Sequence, residues 1–466
     1  MKHYNVKILM TALLSTAFSL TAGAQVLMTD YFDYNLTALE GQGDWAVSSI
    51  TNDNYGNSPV VISKTLTYPN YDGSGVTKAA YFNSGSEYQN ISGKVPETDN
   101  NKTRSTFKAF TSSNLGIGDV IYTAFLADFS SQGNTTAKEV FVYNGGNTNR
   151  GRVFIKMTSG NMQFSIGKKD KPSDSHIWLP SVAIPRANMV LLVVKYVNNS
   201  TSSSLAQDNF FLYVNPDPTK SEAENANCMV SAMTNDAGGG ANLKNIGFRQ
   251  TQSLTASFSA IRVAKSWGEA VAVGLTIGET GWATFSATQN FTLPDGLKAY
   301  VVSSFDSGKG SVALTEVAAI PANQGVLLKG TPSTKYTLIP QAGGPDVDAN
   351  LLAKNLTAAV LPQTDGGNTN FILVPDGAGS VKFAKSSGNA EKPLAANKAY
   401  LQVPTGDLSG HELTISFADS ETTGIGNLTL GLSQDEGVCF DLQGRKLSGK
   451  PTKGLYIVNG KKVIIK

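Results

Sequence analysis

Acidic residues spaced two apart occur in Glu222-Ala223-Glu224, Asp346-Val347-Asp348 and Asp419-Ser420-Glu421. On a strand that spacing places both carboxylates on one face. A general acid and its partner carboxylate flank a glycosidic bond in this way, about 5–10 Å apart. A Glu-x-Asp-x-Glu string, three acids on one strand face, is absent, and these pairs sit among Gly, Asn and other polar residues. They read as loop charges. Nucleophilic chemistry is no better served, because the chain has no Gly-x-Ser-x-Gly elbow. Beyond the first 24 residues His176 and His411 are the histidines left to act as a base. His176 precedes Cys228, an order some thiol enzymes use, but neither flank carries a nucleophile motif, and a surface His with a small buried Cys is expected. Two His and two Cys (Cys228 and Cys439) give no zinc spacing, and no Gly-rich phosphate loop opens a helix. What remains is stacking. Trp45, Tyr55, Tyr71 and Trp178 lie near polar loop residues, where an aromatic face could carry a sugar ring while Asn and Asp bond its hydroxyls. No catalytic residue is assigned, and a non-catalytic protein is expected.

The elements that would position these side chains are strands. Short apolar or alternating runs rich in Val, Ile, Phe and Tyr, such as 120–129, 139–143, 152–157, 162–166, 189–197, 209–214 and 258–263, are separated by Gly, Asn, Ser and Asp clusters. Thr158-Ser159-Gly160-Asn161 joins two of them as a hairpin loop. The run 190–197 is apolar except for Lys195, which suits a buried strand and is too short to span a bilayer. Regular strands at this spacing predict an all-β chain built on a sandwich or jelly roll.

The chain has 466 residues, enough for two or three domains. It opens on an export pattern: Lys2 and Lys7, an apolar stretch from Ile8 to Leu20, then Ala22-Gly23-Ala24. Residues 1–24 are read as a signal peptide cleaved after Ala24. The full sequence has 38 basic and 36 acidic residues, and removing Lys2 and Lys7 leaves 36 of each. That balance argues against a nucleic-acid partner, which would need basic excess to neutralise phosphates. Basic residues gather only at the end: 424–466 holds seven against three acidic, read as a solvated face. With two cysteines in separate modules, the chain relies on core burial. No later segment is apolar enough for a transmembrane helix. Composition shifts near 271–275 and 421–427 divide the mature chain into 25–272, 273–422 and 423–466.

Residues 25–272 carry Asp30-Tyr31-Phe32-Asp33-Tyr34, Gly43-Asp44-Trp45, Leu66-Thr67-Tyr68-Pro69, a strand from Val120 to Leu126, and a closing Ile261-Arg262-Val263 with Ser266-Trp267. On these the segment resembles the concanavalin A-like, laminin-G-type jelly roll of Bacteroidota surface proteins, a fold shared by lectins, hydrolases and inert spacers. The resemblance implies that the closing segment returns beside the opening strand. It also implies calcium at a rim, where Asn52-Asp53-Asn54 and Asn57 supply oxygens led by Asp53; the same residues equally suit an exposed turn. No other cofactor is expected. Residues 273–422, with Gly281-Trp282-Ala283-Thr284-Phe285, Pro321-Ala322-Asn323-Gln324-Gly325 and Lys398-Ala399-Tyr400-Leu401, look like a β-module of secreted Bacteroidales proteins with no settled activity. Residues 423–466 are similar to the C-terminal sorting domain of the type IX secretion pathway. The likeness is carried by Asp441-Leu442-Gln443-Gly444-Arg445, by Gly454-Leu455-Tyr456 and by Gly460-Lys461-Lys462. It implies a tail, marked by Gly444, Gly454, Tyr456, Lys461 and Lys462, that export machinery reads as a folded shape with a charged end. The leading expectation is a secreted or cell-surface protein whose sandwich binds glycan or matrix. The alternatives are a structural or adhesive spacer with no small ligand, and a glycoside-active enzyme with an unusual site.

Overall fold

The computed structural model describes residues 25–47, 59–83, 104–111, 115–129, 137–144, 149–158, 160–167, 177–179, 184–186, 188–199, 208–230, 243–250, 254–377, 380–406, 412–417, 439–440, 453–458 and 461–465. The signal-peptide reading, Asp53 and Tyr55, His176, His411, Gly444 and the boundary at 421–427 lie outside them. Within them the chain is all-β, as the strand pattern predicts, and it divides into two compact units: residues 1–275 with 337–340, and residues 276–336 with 341–466.

The first unit is a sandwich of two antiparallel sheets. One runs Met229–Val230, Asn209–Val214, Val190–Val197, Val120–Phe129, Thr255–Ala264, Lys78–Asn83, Val60–Ser63. Its opening strand Val26–Asp30 lies on Thr255–Ala264, with Asp30 opposite Ile261. The other sheet runs Ile177–Trp178, Asn161–Gly167, Asn149–Thr158, Lys138–Asn144, Asn245–Gln250, Arg104–Ala109, Ala46–Val47. The hairpin at 158–161 forms, with Thr158 opposite Asn161.

Strand alternation decides what each sheet buries. Along Val190–Val197, the side chains of Val190, Leu192, Val194 and Tyr196 enter the core between the sheets. Leu191 and Val193 point the other way, into a second cluster with Leu66, Tyr71, Trp267 and Val271. Both faces of this strand are covered, which is why its sequence is almost wholly apolar. Lys195 breaks the run because its ammonium pairs with Glu222 at 2.6 Å. A bulge interrupts the partner strand Thr255–Ala264, where register shifts between Ser259 and Arg262 and Ala260 takes φ of 54°. Its effect is to exchange faces: Phe258 before it and Ile261 after it both reach the main core. The centre of that core is aromatic. Phe248 stacks on Phe258 at 4.3 Å between ring centroids, and Phe125 meets Phe141 at 5.2 Å. Each such ring contributes about 1.5–3 kcal/mol by burial.

The second unit is built on one large curled sheet. In order it runs Trp282–Ser286, Gly325–Lys329, Lys298–Asp306, Ser311–Val317, Glu412–Phe417, Val381–Lys385, Asn368–Pro375, Lys398–Pro404, Leu352–Asn355. The pair Ser311–Val317 and Glu412–Phe417 is parallel. Val302, Leu314, Leu327, Phe371, Phe383 and Leu401 fill its inside. The two ends of the sheet meet at Ser286. Its hydroxyl donates to the Lys398 carbonyl at 2.7 Å and accepts from the Asn355 amide at 3.2 Å, while its own amide donates to the Asn397 carbonyl at 3.0 Å. In the tail, Cys439–Phe440, Gly454–Val458 and Lys461–Ile465 form an antiparallel sheet in which Tyr456 faces Val463, Ile457 faces Lys462 and Val458 faces Lys461.

Candidate functional site

Two of the four aromatic candidates are corrected by the structure. Trp45 is 1% exposed, stacked on Phe32 at 5.7 Å, and its indole N–H donates to Asp30 Oδ2 at 2.8 Å. Tyr71 is equally buried and donates its hydroxyl to the Ala260 carbonyl at 2.9 Å, with burial holding its pKa well above the usual tyrosine value. Both sit at Gly- and Asp-rich turns, which made them look exposed; the turns instead fold their rings inward to cap the two cores. Tyr55 lies outside the described residues. Trp178 is half-buried at the end of the second sheet and remains available.

Trp178 faces outward because of register. Its neighbour Ile177 packs on the core, and Val153, Ile155, Phe164 and Ile166 on the adjoining strands do the same. The alternating residues therefore lie on the side of the sheet away from that core: Trp178 opposite Ser165, Ser165 opposite Phe154, Phe154 opposite Glu139. Ser165, Phe154 and Glu139 are themselves buried, and Trp178 at the sheet edge is half-buried. One row on, Phe107 lies opposite Gly247, Gly247 opposite Val142, and Val142 opposite Arg152. A Cβ at Gly247 would stand 2.3 Å from the Phe107 ring, so the glycine makes room for that ring to lie flat on the sheet.

Charge on this face is organised around one acid. Glu139 Oε2 accepts from Arg152 Nη1 at 2.8 Å and from Arg249 Nη1 at 3.4 Å. Glu139 and Arg152 are nearly closed to water, whereas the Arg249 side chain is 19% exposed. Lys156 places its ammonium over the Trp178 ring, 4.2 Å from the centroid. That arrangement is a cation–π pair over one face of the indole. Among the described residues on this side, Arg152, Arg249 and Lys156 stand against the single carboxylate of Glu139. Sequence reading found Trp178 and missed its companions. Their signal was present in Arg152, Phe154 and Lys156, which alternate with the core residues Val153, Ile155 and Met157.

Two other clusters are anchors. Asp30, 1% exposed at its side chain, accepts from Trp45, from Tyr34 at 2.8 Å and from Lys108 at 2.7 Å, and its Oδ1 takes the Phe32 amide at 2.8 Å. Burial alone would lower the Lys108 pKa, but the bonds to Asp30 and Tyr34 outweigh it and raise it. Glu222, read from sequence as a loop charge, is corrected: its carboxylate accepts from Lys195 and Tyr122 at 2.6 Å each and from Tyr213. Burial pushes its pKa up, and these three donors together bring it below the usual glutamate value. The Cys228 thiol lies 3.8 Å from the Asn215 carbonyl, and burial raises its pKa. Among the described residues no group of three or more His, Cys, Asp or Glu stands together as a metal site.

The solved structures similar to this chain are distant from it. No protein-family model and no curated protein matches the sequence. A carbohydrate esterase from Shiga toxin-encoding bacteriophage phi24B is 10% identical over 52% of this chain and 100% of its own, with a TM-score of 0.33. Alginate lyase vAL-1 from Chlorella virus is 11% identical over 52% and 100%, with a TM-score of 0.28. A non-specific endo-β-1,3(4)-glucanase is 10% identical over 52% and 91%, with a TM-score of 0.29. These distant matches correct the expectation of a non-catalytic protein. An esterase, a lyase and a glucanase are among them, so the missing Glu-x-Asp-x-Glu string is no ground for excluding catalysis. Among the described residues no helix is long and apolar enough to cross a membrane.

Proposed function

We propose that the first unit is the glycan-binding part of an exported protein, and that its ligand lies at the edge of the second sheet, on the half-buried Trp178. The observation that carries this reading is the half-buried indole at the sheet edge with the Lys156 ammonium over its ring, on the same side of the sheet as Arg152 and Arg249. An indole face packs on the apolar face of a pyranose, and the positive excess favours a polymer bearing carboxylates over a neutral one. Export follows from the pattern of residues 1–24, and the C-terminal sheet with Gly454, Tyr456, Lys461 and Lys462 is assigned to recognition by export machinery. Calcium held through Asp53 belongs to the same reading of the jelly roll.

The test is affinity electrophoresis of the full chain through gels containing neutral or uronate-bearing polysaccharides, with Trp178→Ala alongside. The expected result is retardation by the acidic polymers, weakening as salt rises and lost in Trp178→Ala. Retention that is unchanged in the variant, or no retention on any polymer, overturns the proposal.

A further inference from the structure

Four buried or half-buried cations of the first unit pair with acids, Lys108 with Asp30, Arg152 with Glu139, Lys195 with Glu222 and Arg262 with Asp72, and Lys156 lies over the Trp178 ring. Lys398 in the second unit has neither kind of partner among the described residues. It begins the strand Lys398–Pro404, its side chain is largely removed from water, and its ammonium has no hydrogen-bond or ion-pair partner among the described residues. Desolvation lowers its pKa with nothing to offset it. An unpaired buried charge costs several kcal/mol, and an isolated core position would be better filled by an apolar residue.

Lys398 is not in an isolated position. It lines a groove of about 800 Å³ in the second unit whose other walls include Trp282, Leu361, Ile372, Leu373 and Leu394. That volume matches the range of small-molecule sites, which are mostly apolar with a few fixed polar groups. The walls are held in place. Ser386 Oγ donates to the Leu361 carbonyl at 2.6 Å, and the Asn355 side-chain amide donates to the Leu394 and Ala395 carbonyls at 3.2 and 2.7 Å. Ala359 and Leu394 are bridged as in a sheet. Two further charged residues line the groove, Glu279 and Lys392, so the lining carries one net positive charge.

We propose that this groove binds an amphiphilic carboxylate, with its apolar body against Trp282, Leu361, Leu373 and Leu394 and its acid group paired with the Lys398 ammonium. Among the described lining residues there is no arginine, so the groove lacks the bidentate guanidinium clamp that suits a phosphate, and an amine suits a monovalent acid. The site is in the second unit and is independent of the glycan reading of the first.

The test uses the full chain and dansyl-labelled undecanoic acid, with its methyl ester as the uncharged counterpart, followed by dansyl fluorescence. The acid is expected to saturate one site and to bind at least about tenfold more tightly than the ester, a difference of about 1.4 kcal/mol. In Lys398→Met the two should bind alike, at the ester's affinity. Leu361→Asp, on the facing wall, should weaken both. Equal binding of acid and ester by the unaltered protein, binding of neither, or an acid preference that survives in Lys398→Met overturns the proposal. The comparison on the unaltered protein decides the matter even where a variant folds poorly.

Discussion

Replacing Asp30 with Asn tests whether the opening strand is locked by one carboxylate. Asn keeps the volume and can still accept the Phe32 amide. It removes the charge facing Lys108 and presents an amide to a cluster of three donors, Trp45, Tyr34 and Lys108, all within 2.8 Å of Asp30 Oδ2. The Lys108 side chain is only 13% exposed, so its ammonium cannot recover full hydration in place. Breaking one side of a buried pair costs about 3–5 kcal/mol. For a unit of this size each kcal/mol lowers the melting temperature by about 2–4 °C, which gives a drop of roughly 6–20 °C. Urea unfolding of the full chain followed by tryptophan fluorescence reads the change, since Trp45, Trp178 and Trp267 all lie in the first unit. Lys108→Met in the Asp30→Asn background removes the stranded cation, and the double variant should be less destabilised than the two single losses summed, by at least about 1 kcal/mol. A loss under about 1 kcal/mol for Asp30→Asn, or additive losses in the cycle, would refute the lock.

Two further outcomes follow from the anchors and the curled sheet. Glu222 has a native pKa below the ordinary glutamate value of 4.5, so the stability it contributes is complete above that pH and drains away as pH falls through the native value. Glu222→Gln should therefore be less stable than the parent near neutrality, with the gap narrowing in urea titrations below pH 4.5; a gap constant with pH would count against the assignment. A Cβ at Gly325 would stand 2.7 Å from Ala399 Cβ and 2.9 Å from the Ala353 carbonyl. Gly325→Ala should cost the second unit about 1–3 kcal/mol by overpacking, and calorimetry showing no loss would mean that the sheet gives way there.

Period-two runs made the strands legible, and turn residues placed the gaps between them. The run 190–197 was read correctly as buried because nothing polar but Lys195 interrupts it. Exposure was not legible in the same way. Trp45 follows Gly43 and Asp44, and Tyr71 precedes Asp72 and Gly73, so local sequence suggests open loops. What buries them is a set of distant partners: Asp30 and Phe32 for the one, Ala260 and its bulge for the other. Glu222 was misjudged for the same reason, since its partners Lys195, Tyr122 and Tyr213 come from three different strands, Tyr122 a hundred residues away. The side of the sheet around Trp178 required knowing which strands are neighbours, and single-sequence periodicity supplies alternation without adjacency. The Lys398 groove offered no sequence signal, because an unpaired lysine becomes unusual only once its surroundings are known to be apolar.

The meeting of the sheet's ends at Ser286 has a mechanical consequence. Elsewhere along the curled sheet, force or thermal agitation must peel whole ladders; here a hydroxyl and a few amides form the seam. Such a zip opens from its fastener, so amide protons beside Ser286 should trade with deuterium ahead of those in the middle strands, and a tether pulled across the unit should yield first along that line.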